Sequence, residues 1–381
     1  MKINILQGAF LPVPPVRGGA IENAWYLLAE EFVRLGHKVN YYSRKCDNLR
    51  GHEFLNGVHH IRLNSTDAVN NSFFLKALEL PYVLRAKKVM QKADILVTHA
   101  FWAPILLDPS KYGKLYVHVG RYPKGQLSLY RKANRLQVPS QSIAEVCRNQ
   151  TQSQRQKVKA LPYPLPWNAA SKLEFHNKKN IILYAGRIHP EKGVLELIEG
   201  WRNIDENLAK NCELRLIGPW RQKEGGAGKG FRERLEHEIA LSPNKIKVFE
   251  PIFDRKKLKR QMNEAKFFIY PSNAERGETF GLSVLEAMSC GTVPIVSNLA
   301  CFKDFLDLPS HGYCIMPTER KSFSQSIEKS IFQALSDNTR KIENKSSACW
   351  HKAKQYEIAK VAKLYINDFQ SLRSETVSDE I

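Results

Sequence analysis

The stretch PSNAERGETFGLSVLEAMSCGTVPIVSN, residues 271–298, sets two carboxylates, Glu278 and Glu286, around the start of an apolar run. KFFIYPS before it reads as a strand ending at Pro271, and ERGETFG reads as a loop. LSVLEAMSCG reads as one to three helical turns stopped by Gly291, and TVPIVS as a further strand. Glu278 is therefore expected just ahead of a helix and Glu286 about one turn inside it. That offset lets both acids face one ligand, and a carboxylate accepting paired hydroxyl hydrogens suits ribose or sugar diols. The plainer roles are charge stabilisation at a helix N-terminus for Glu278 and a solvated helix face for Glu286. Val284, Leu285, Ala287 and Met288 are apolar, so a buried or half-buried Glu286 needs a partner.

Strand–loop–helix units recur on the N-terminal side. NIILYAGR reads as a buried strand, and AGRIHPEKG, residues 185–193, exposes Arg187 after Gly186 and puts Lys192 beside a helix running to about Trp201. A guanidinium, an ammonium and free backbone N–H groups on one spot suit a diphosphate. Taken alone, Arg and Lys after a strand are equally well solvated surface charges. VRGGAIEN, residues 16–23, repeats the theme: Gly18 and Gly19 let backbone approach a phosphate ahead of a helix, although a Gly pair is also a common turn. No third glycine follows to complete a dinucleotide fingerprint. EGGAGKGF, residues 224–231, fails as a phosphate loop, because the required first glycine falls on Lys223 and Gly230 replaces the magnesium-binding Ser or Thr.

A chain of 381 residues suits two domains. Lys and Arg number 58 against 38 Asp and Glu, and the formal +20 favours nucleic acid, phosphorylated substrates or an acidic membrane surface as partners. A nucleic-acid reading has only charge behind it, since the charges are dispersed and no reader motif is present. The seven scattered cysteines form no C-x-x-C pair, which argues against a disulfide framework or zinc site and fits a reducing compartment. MKINILQGAF enters a strand at once rather than a leader, and no apolar run is long enough to span a bilayer. The chain is read as cytoplasmic, with association at the inner face of the plasma membrane as the further option.

INILQGAF, HKVNYYS, VHHIRL, ADILVTHA, GKLYVHV and RLQVPS read as strands with helices between several of them. Such alternation implies a helix-covered parallel sheet. VKALPYPLPWNAASKLEFHNKKN, residues 158–180, breaks the rhythm and is read as a linker. The pattern then restarts, so the fold class is α/β, with two Rossmann-like doubly wound parallel-sheet domains facing a cleft. The mixed apolar and basic FFLKALELPYVLRAKKVMQK, residues 73–92, is expected to be a helix interrupted at Pro81. It suits either an anionic lipid surface or an ordinary domain face. Residues 346–372 have a helical pattern.

ETFGLSVLEAMSCGTVPIVSN resembles the signature of glycosyltransferase family 4, whose two glutamates are separated by seven residues, as Glu278 and Glu286 are. GRIHPEKG is similar to that family's phosphate loop, RGGAIEN and LGHKV to its N-terminal unit, and DILVTHAFWAPIL and LYVHVG to its histidine-bearing strands. The resemblance implies a GT-B fold. Residues 1–165 would form the acceptor domain and 166–349 the donor domain, with a C-terminal helix over 350–381 crossing back to the first. It further implies that Arg187 and Lys192 hold the donor diphosphate and Glu286 the ribose. Glu278 would contact sugar hydroxyls. Gly18, Gly19, Gly186, Thr279, Phe280, Gly281 and Leu282 would complete the donor site. His118 would lie near acceptor and sugar as a hydrogen-bonding group, with a core histidine as the plainer reading. His99, Arg121 and Lys124 would lie on the acceptor side. Departures from the pattern are Val97, Val119, Gly120 and LACFKDFL after IVSN, and they leave the donor sugar open.

The implied activity is retaining transfer of a sugar from a UDP- or GDP-sugar to a glycan or lipid-linked, anionic acceptor in cell-surface polysaccharide or lipopolysaccharide synthesis. No metal or other cofactor is expected, since fixed cations would neutralise the leaving group. The alternatives are another GT-B enzyme, such as a nucleotide-sugar epimerase, and a basic nucleic-acid-binding protein.

Overall fold

A computed structural model describes residues 1–16, 18–69, 71–274, 276–316 and 322–374. The chain divides into two compact units, Met1–Pro166 with the segment from Ile358, and Trp167–Glu357.

The first unit is built on strands β1 (Lys2–Leu6), β2 (Lys38–Arg44), β3 (His52–Leu55), β4 (Val58–Leu63), β5 (Ile95–Thr98), β6 (Lys114–His118), β7 (Arg135–Val138) and β8 (Val158–Ala160). Their order is β3-β4-β2-β1-β5-β6-β7-β8. Every pair is parallel except β3 and β4, a hairpin turned at Asn56-Gly57, both with positive φ. Helices α1 (Ala20–Arg34), α2 (Ser72–Val89), α3 (Ala103–Leu106), α4 (Pro109–Tyr112) and α5 (Gln141–Gln150) complete the crossovers. The inner face of α1 buries Ala24, Trp25, Leu28, Ala29 and Phe32, close to helical spacing. All four residues of β5 are buried, as expected for a parallel strand covered on both faces.

The second unit carries β9 (Lys179–Ala185), β10 (Glu213–Ile217), β11 (Ile246–Phe249), β12 (Ala265–Tyr270), β13 (Val293–Ser297) and β14 (Tyr313–Ile315). The sheet is wholly parallel in the order β11-β10-β9-β12-β13-β14. Its helices are α6 (Val194–Arg202), α7 (Glu206–Ala209), α8 (Lys229–Ala240), α9 (Arg255–Glu264), α10 (Leu282–Ser289), α11 (Phe323–Ser336) and α12 (Thr339–Ala353). A last helix, α13 (Ile358–Ser374), belongs to the first unit. There Asp368 is fully buried and takes a hydrogen bond from Tyr116 (2.9 Å) on β6 and ion pairs from Arg135 (3.0 Å) on β7 and Lys159 (2.8 Å) on β8.

Three expectations are corrected. The helical pattern over 346–372 is two helices, and the return to the first unit begins at 358 rather than 350. Trp350 and Tyr356 are fastened inside the second unit, to the carbonyls of Ala170 (3.2 Å) and Asp304 (3.0 Å). The proposed linker opens with β8, which pairs with β7. α2 runs unbroken past Pro81, which is exposed on its outer side.

Candidate active site

β9 and β12 are neighbours, and their C-terminal loops are bound together by backbone. After Ala185 the chain bends at Gly186, whose N–H still donates to Ile217 (3.0 Å) on β10. The Tyr184 hydroxyl donates to the Arg187 carbonyl (2.7 Å), and its ring stacks on Tyr270 at 6.2 Å. A short 3₁₀ turn, Pro190–Lys192, then leads to Gly193, with φ of 65°. A Cβ at Gly193 would collide with the Pro271 carbonyl, so close approach of the two loops requires glycine there. The Glu191 carbonyl accepts from Asn273 N–H (3.1 Å) and Ser272 Oγ (3.3 Å), which fixes the second loop against the first.

This scaffold gathers charge. The Lys192 ammonium donates to Glu278 Oε1, and Tyr270 Oη donates to the same oxygen at 2.7 Å. The Lys192 and Glu278 side chains are only 6% and 10% exposed, an ion pair held out of water. Arg187 reaches the same cluster from the open side, donating to the Gly225 carbonyl (3.0 Å) and to Glu191 (2.5 Å). Arg187, Lys192 and Glu278 are thus brought together, joined through Glu191.

Glu286 is not part of that contact network. It lies one turn into α10, and its carboxyl has no hydrogen-bond partner among the described residues. The residue keeps some exposed surface, yet its carboxyl is deep enough that burial pushes its pKa up to about 8, against the opposing charge of Arg255. Gly281, with φ of 83°, starts α10 without a side-chain cap, which leaves its first N–H groups without a capping side chain. Thr279 and Leu282 are half-buried around it, whereas Phe280 is buried against Phe305 (ring centroids 5.3 Å) and Tyr356, so only its backbone can face a ligand.

In the first unit, Gly18 and Gly19 adopt positive φ, and Gly19 starts α1, again without a side-chain cap. The carboxyl of Glu22 lies over Gly19, where a Cβ would collide with it, and burial raises the Glu22 pKa. His118 is 5% exposed and engaged on both nitrogens. The Gln137 amide donates to the carbonyls of Val138 and Leu161, so its oxygen takes the Nδ1 proton of His118, and Nε2 accepts from Tyr163 (2.8 Å). Burial holds its pKa down at about 4. In this geometry His118 is neutral, with both ring nitrogens engaged within its own unit. His99 packs edge-on to Trp25 (5.0 Å) and His118 (5.1 Å); burial holds it well below its usual range, and neither ring nitrogen has a partner. Arg121 is exposed, and its charge opposes the pKa rise of Glu22 and Glu79. Lys124, also exposed, donates its backbone N–H to the Gln126 side chain (2.7 Å).

Sequence reasoning passed over Glu191, Tyr270 and Glu79. Glu191 lay in plain view within AGRIHPEKG, between the two cations already singled out. Tyr270 ended a strand and looked like core. Glu79 is buried on α2, where burial pushes its pKa up to about 7 while it accepts from Phe101 N–H (2.7 Å).

Comparison with known proteins bears on the same loops. Residues 167–346 match the family described as Glycosyl transferases group 1. The GDP-mannose:cellobiosyl-diphosphopolyprenol alpha-mannosyltransferase of Xanthomonas campestris is 25% identical over 194 residues, 50% of this chain and 46% of that protein. The lipopolysaccharide 1,2-N-acetylglucosaminetransferase of Salmonella typhimurium is 27% identical over 174 residues, 45% of this chain and 44% of its own length. The chain thus spans somewhat less than half the length of these two relatives. Among solved structures, the sucrose-phosphate synthase of Thermosynechococcus elongatus superposes with a TM-score of 0.76 at 17% identity, covering 98% of this chain and 100% of that one. The cluster of Arg187, Lys192 and Glu278 therefore lies within the residues, 167–346, that match the Glycosyl transferases group 1 family, in a chain with the two-unit parallel-sheet fold seen in GT-B glycosyltransferases.

Proposed function

We propose that the chain is a retaining, family 4-type glycosyltransferase. It moves a sugar from a UDP- or GDP-sugar to a glycan or lipid-linked acceptor in cell-surface polysaccharide or lipopolysaccharide synthesis. The observation that carries this reading is the joining of Arg187, Lys192 and Glu278 at the C-terminal ends of β9 and β12. The group 1 domain match and the names of the two relatives support it.

Breaking the glycosidic bond places positive charge on the sugar ring and negative charge on the departing diphosphate. Arg187, Lys192 and the uncapped start of α10 lie where they can stabilise that negative charge without moving far. Glu278, fixed by Lys192 and Tyr270, presents its remaining oxygen capacity to sugar hydroxyls, and Glu286 takes the ribose diol. With His118 engaged on both sides, proton removal from the acceptor falls to the leaving phosphate on the same face of the sugar. Arg121, with its neighbours Glu22 and Glu79, belongs to the acceptor side.

A thermal-shift screen against UDP-, GDP- and ADP-sugars tests the reading. A donor present at 100 times its Kd stabilises the fold by about 2.7 kcal/mol. Silence from every nucleotide-sugar rejects it, and sugar isomerised without acceptor points to an epimerase.

We also place α2 against an acidic membrane surface. Phe73 and Phe74 are 74% and 59% exposed, Lys76, Arg85, Lys87 and Lys88 further along the helix are exposed too, and the helix's single acid, Glu79, is buried. No helix among the described residues is long and apolar enough to cross a membrane. Flotation with anionic vesicles should therefore carry the protein upward and Phe73→Ser/Phe74→Ser should not float; equal flotation of both removes α2 from the interface.

A further inference from the structure

We propose that the Glu191 carboxylate is an internal occupant of the phosphate seat, displaced by the phosphate of an arriving ligand and returning as the product leaves. The inference rests on the reading of this loop as a diphosphate site and adds a competitor to it.

A single oxygen, Glu191 Oε1, lies 2.5 Å from Arg187 Nη2 and 3.9 Å from both His189 Nδ1 and Lys192 Nζ. Guanidinium, imidazole and ammonium nitrogens around one anionic oxygen are what a ligand phosphate oxygen would meet. His189 Nδ1 is buried without a hydrogen-bond partner, so a polar atom at this focus remains unsatisfied with Glu191 in place.

The two ion pairs of the cluster are unequal. Lys192 and Glu278 are closed in at 6% and 10% exposure, whereas Arg187 and Glu191 stand at 42% and 34%. Water screens the second pair, which makes it the one that opens readily. Opening it disturbs little else. The Glu191 backbone stays held through its carbonyl by Asn273 and Ser272, so only a side-chain rotation is required. Arg187 stays aimed by its second bond, to the Gly225 carbonyl at 3.0 Å. A phosphate and the Glu191 carboxylate cannot share the seat, because like charges at contact distance repel. Glu191 therefore lowers affinity for the diphosphate and hastens its release.

Titration calorimetry with UDP and GDP, and with uridine and guanosine as phosphate-free controls, tests this on wild type, Glu191→Gln, Arg187→Ala and the double variant. The expected result is that Glu191→Gln binds the nucleoside diphosphate about fivefold tighter at low salt, the scale of a screened ion pair. Its nucleoside affinity stays unchanged, dissociation slows in stopped flow, and the gain vanishes when Arg187 is also removed. Unchanged or weaker diphosphate binding by Glu191→Gln, with wild type binding normally, overturns the proposal alone and makes Glu191 a positioning residue for Arg187. If both proteins, folded by circular dichroism, bind no nucleoside diphosphate, the diphosphate reading fails and the proposal falls with it.

Discussion

Helices in the second unit begin in two different ways, and the difference follows position in the sheet. The central strands β9, β10 and β12 lead to α6, α8 and α10, whose N-caps are Gly193, Gly228 and Gly281, none with a side-chain cap. The edge strands β11 and β14 lead to α9 and α11. There Asp254 accepts the N–H groups of Lys256 and Lys257, and Ser322 forms a reciprocal capping box with Gln325. At the edges the protein satisfies its first-turn N–H groups with its own side chains. At the centre these N–H groups have no capping side chain, and the three glycines stand where a Cβ would press on Pro271, Gln222 or Phe302. Glycine is only a few tenths of a kcal/mol poorer than Ser or Asp as an N-cap, so the central solution costs little. Arg187, Lys192 and Glu278 cluster at the centre.

Substitutions should separate the two kinds of helix start. Lys192→Ala is expected to have the largest effect, lowering kcat/KM by roughly 10²–10³ through loss of a fixed charge on the leaving group. Steady-state kinetics on protein checked for folding measures it, and a loss below tenfold would remove Lys192 from the charge-stabilising role.

Glu286→Gln comes next. Between about pH 5 and 8 the folded chain keeps on Glu286 a proton that the unfolded chain has lost, so wild-type stability falls as pH rises through that window. The variant should escape this fall and gain on the order of a few kcal/mol over wild type between the two ends. Urea unfolding of both proteins at pH 5 and pH 8 decides it. Parallel behaviour would mean that Glu286 is ionised and solvated.

Gly193→Ala should cost about 1–3 kcal/mol, because its φ of 65° and the Pro271 carbonyl both oppose a side chain. Since Gly193 holds the Lys192 loop against β12, activity should fall along with the melting temperature. Ser322→Ala should have the smallest effect, losing about 1 kcal/mol of stability with nucleotide affinity unchanged. A clear loss of nucleotide affinity there would erase the distinction between centre and edge.

The local features were legible because they depend on near neighbours in the chain. Strand periodicity, the glycines before α1 and α10, and the order Arg187, Lys192, Glu278, Glu286 could all be read without coordinates. The uninterrupted α2 was not, since a proline that usually breaks a helix is tolerated when its side chain points outward and packing holds the turns on either side. His118 shows the same limit at the site. A histidine ending a strand looks alike whether free or engaged, and the engagement comes from Gln137 and Tyr163, 19 and 45 residues away.

By itself the sequence determined two parallel α/β units and the chemical types available at their strand ends, because side-chain period and glycine conformation act over a few residues. Only the tertiary structure decided which groups meet. β9 beside β12 brings Lys192 to Glu278 across 86 positions, and α13 brings Asp368 to Tyr116 across 252. Such pairings depend on strand order and helix docking, which are settled by burial summed over the whole unit rather than by any local run of residues.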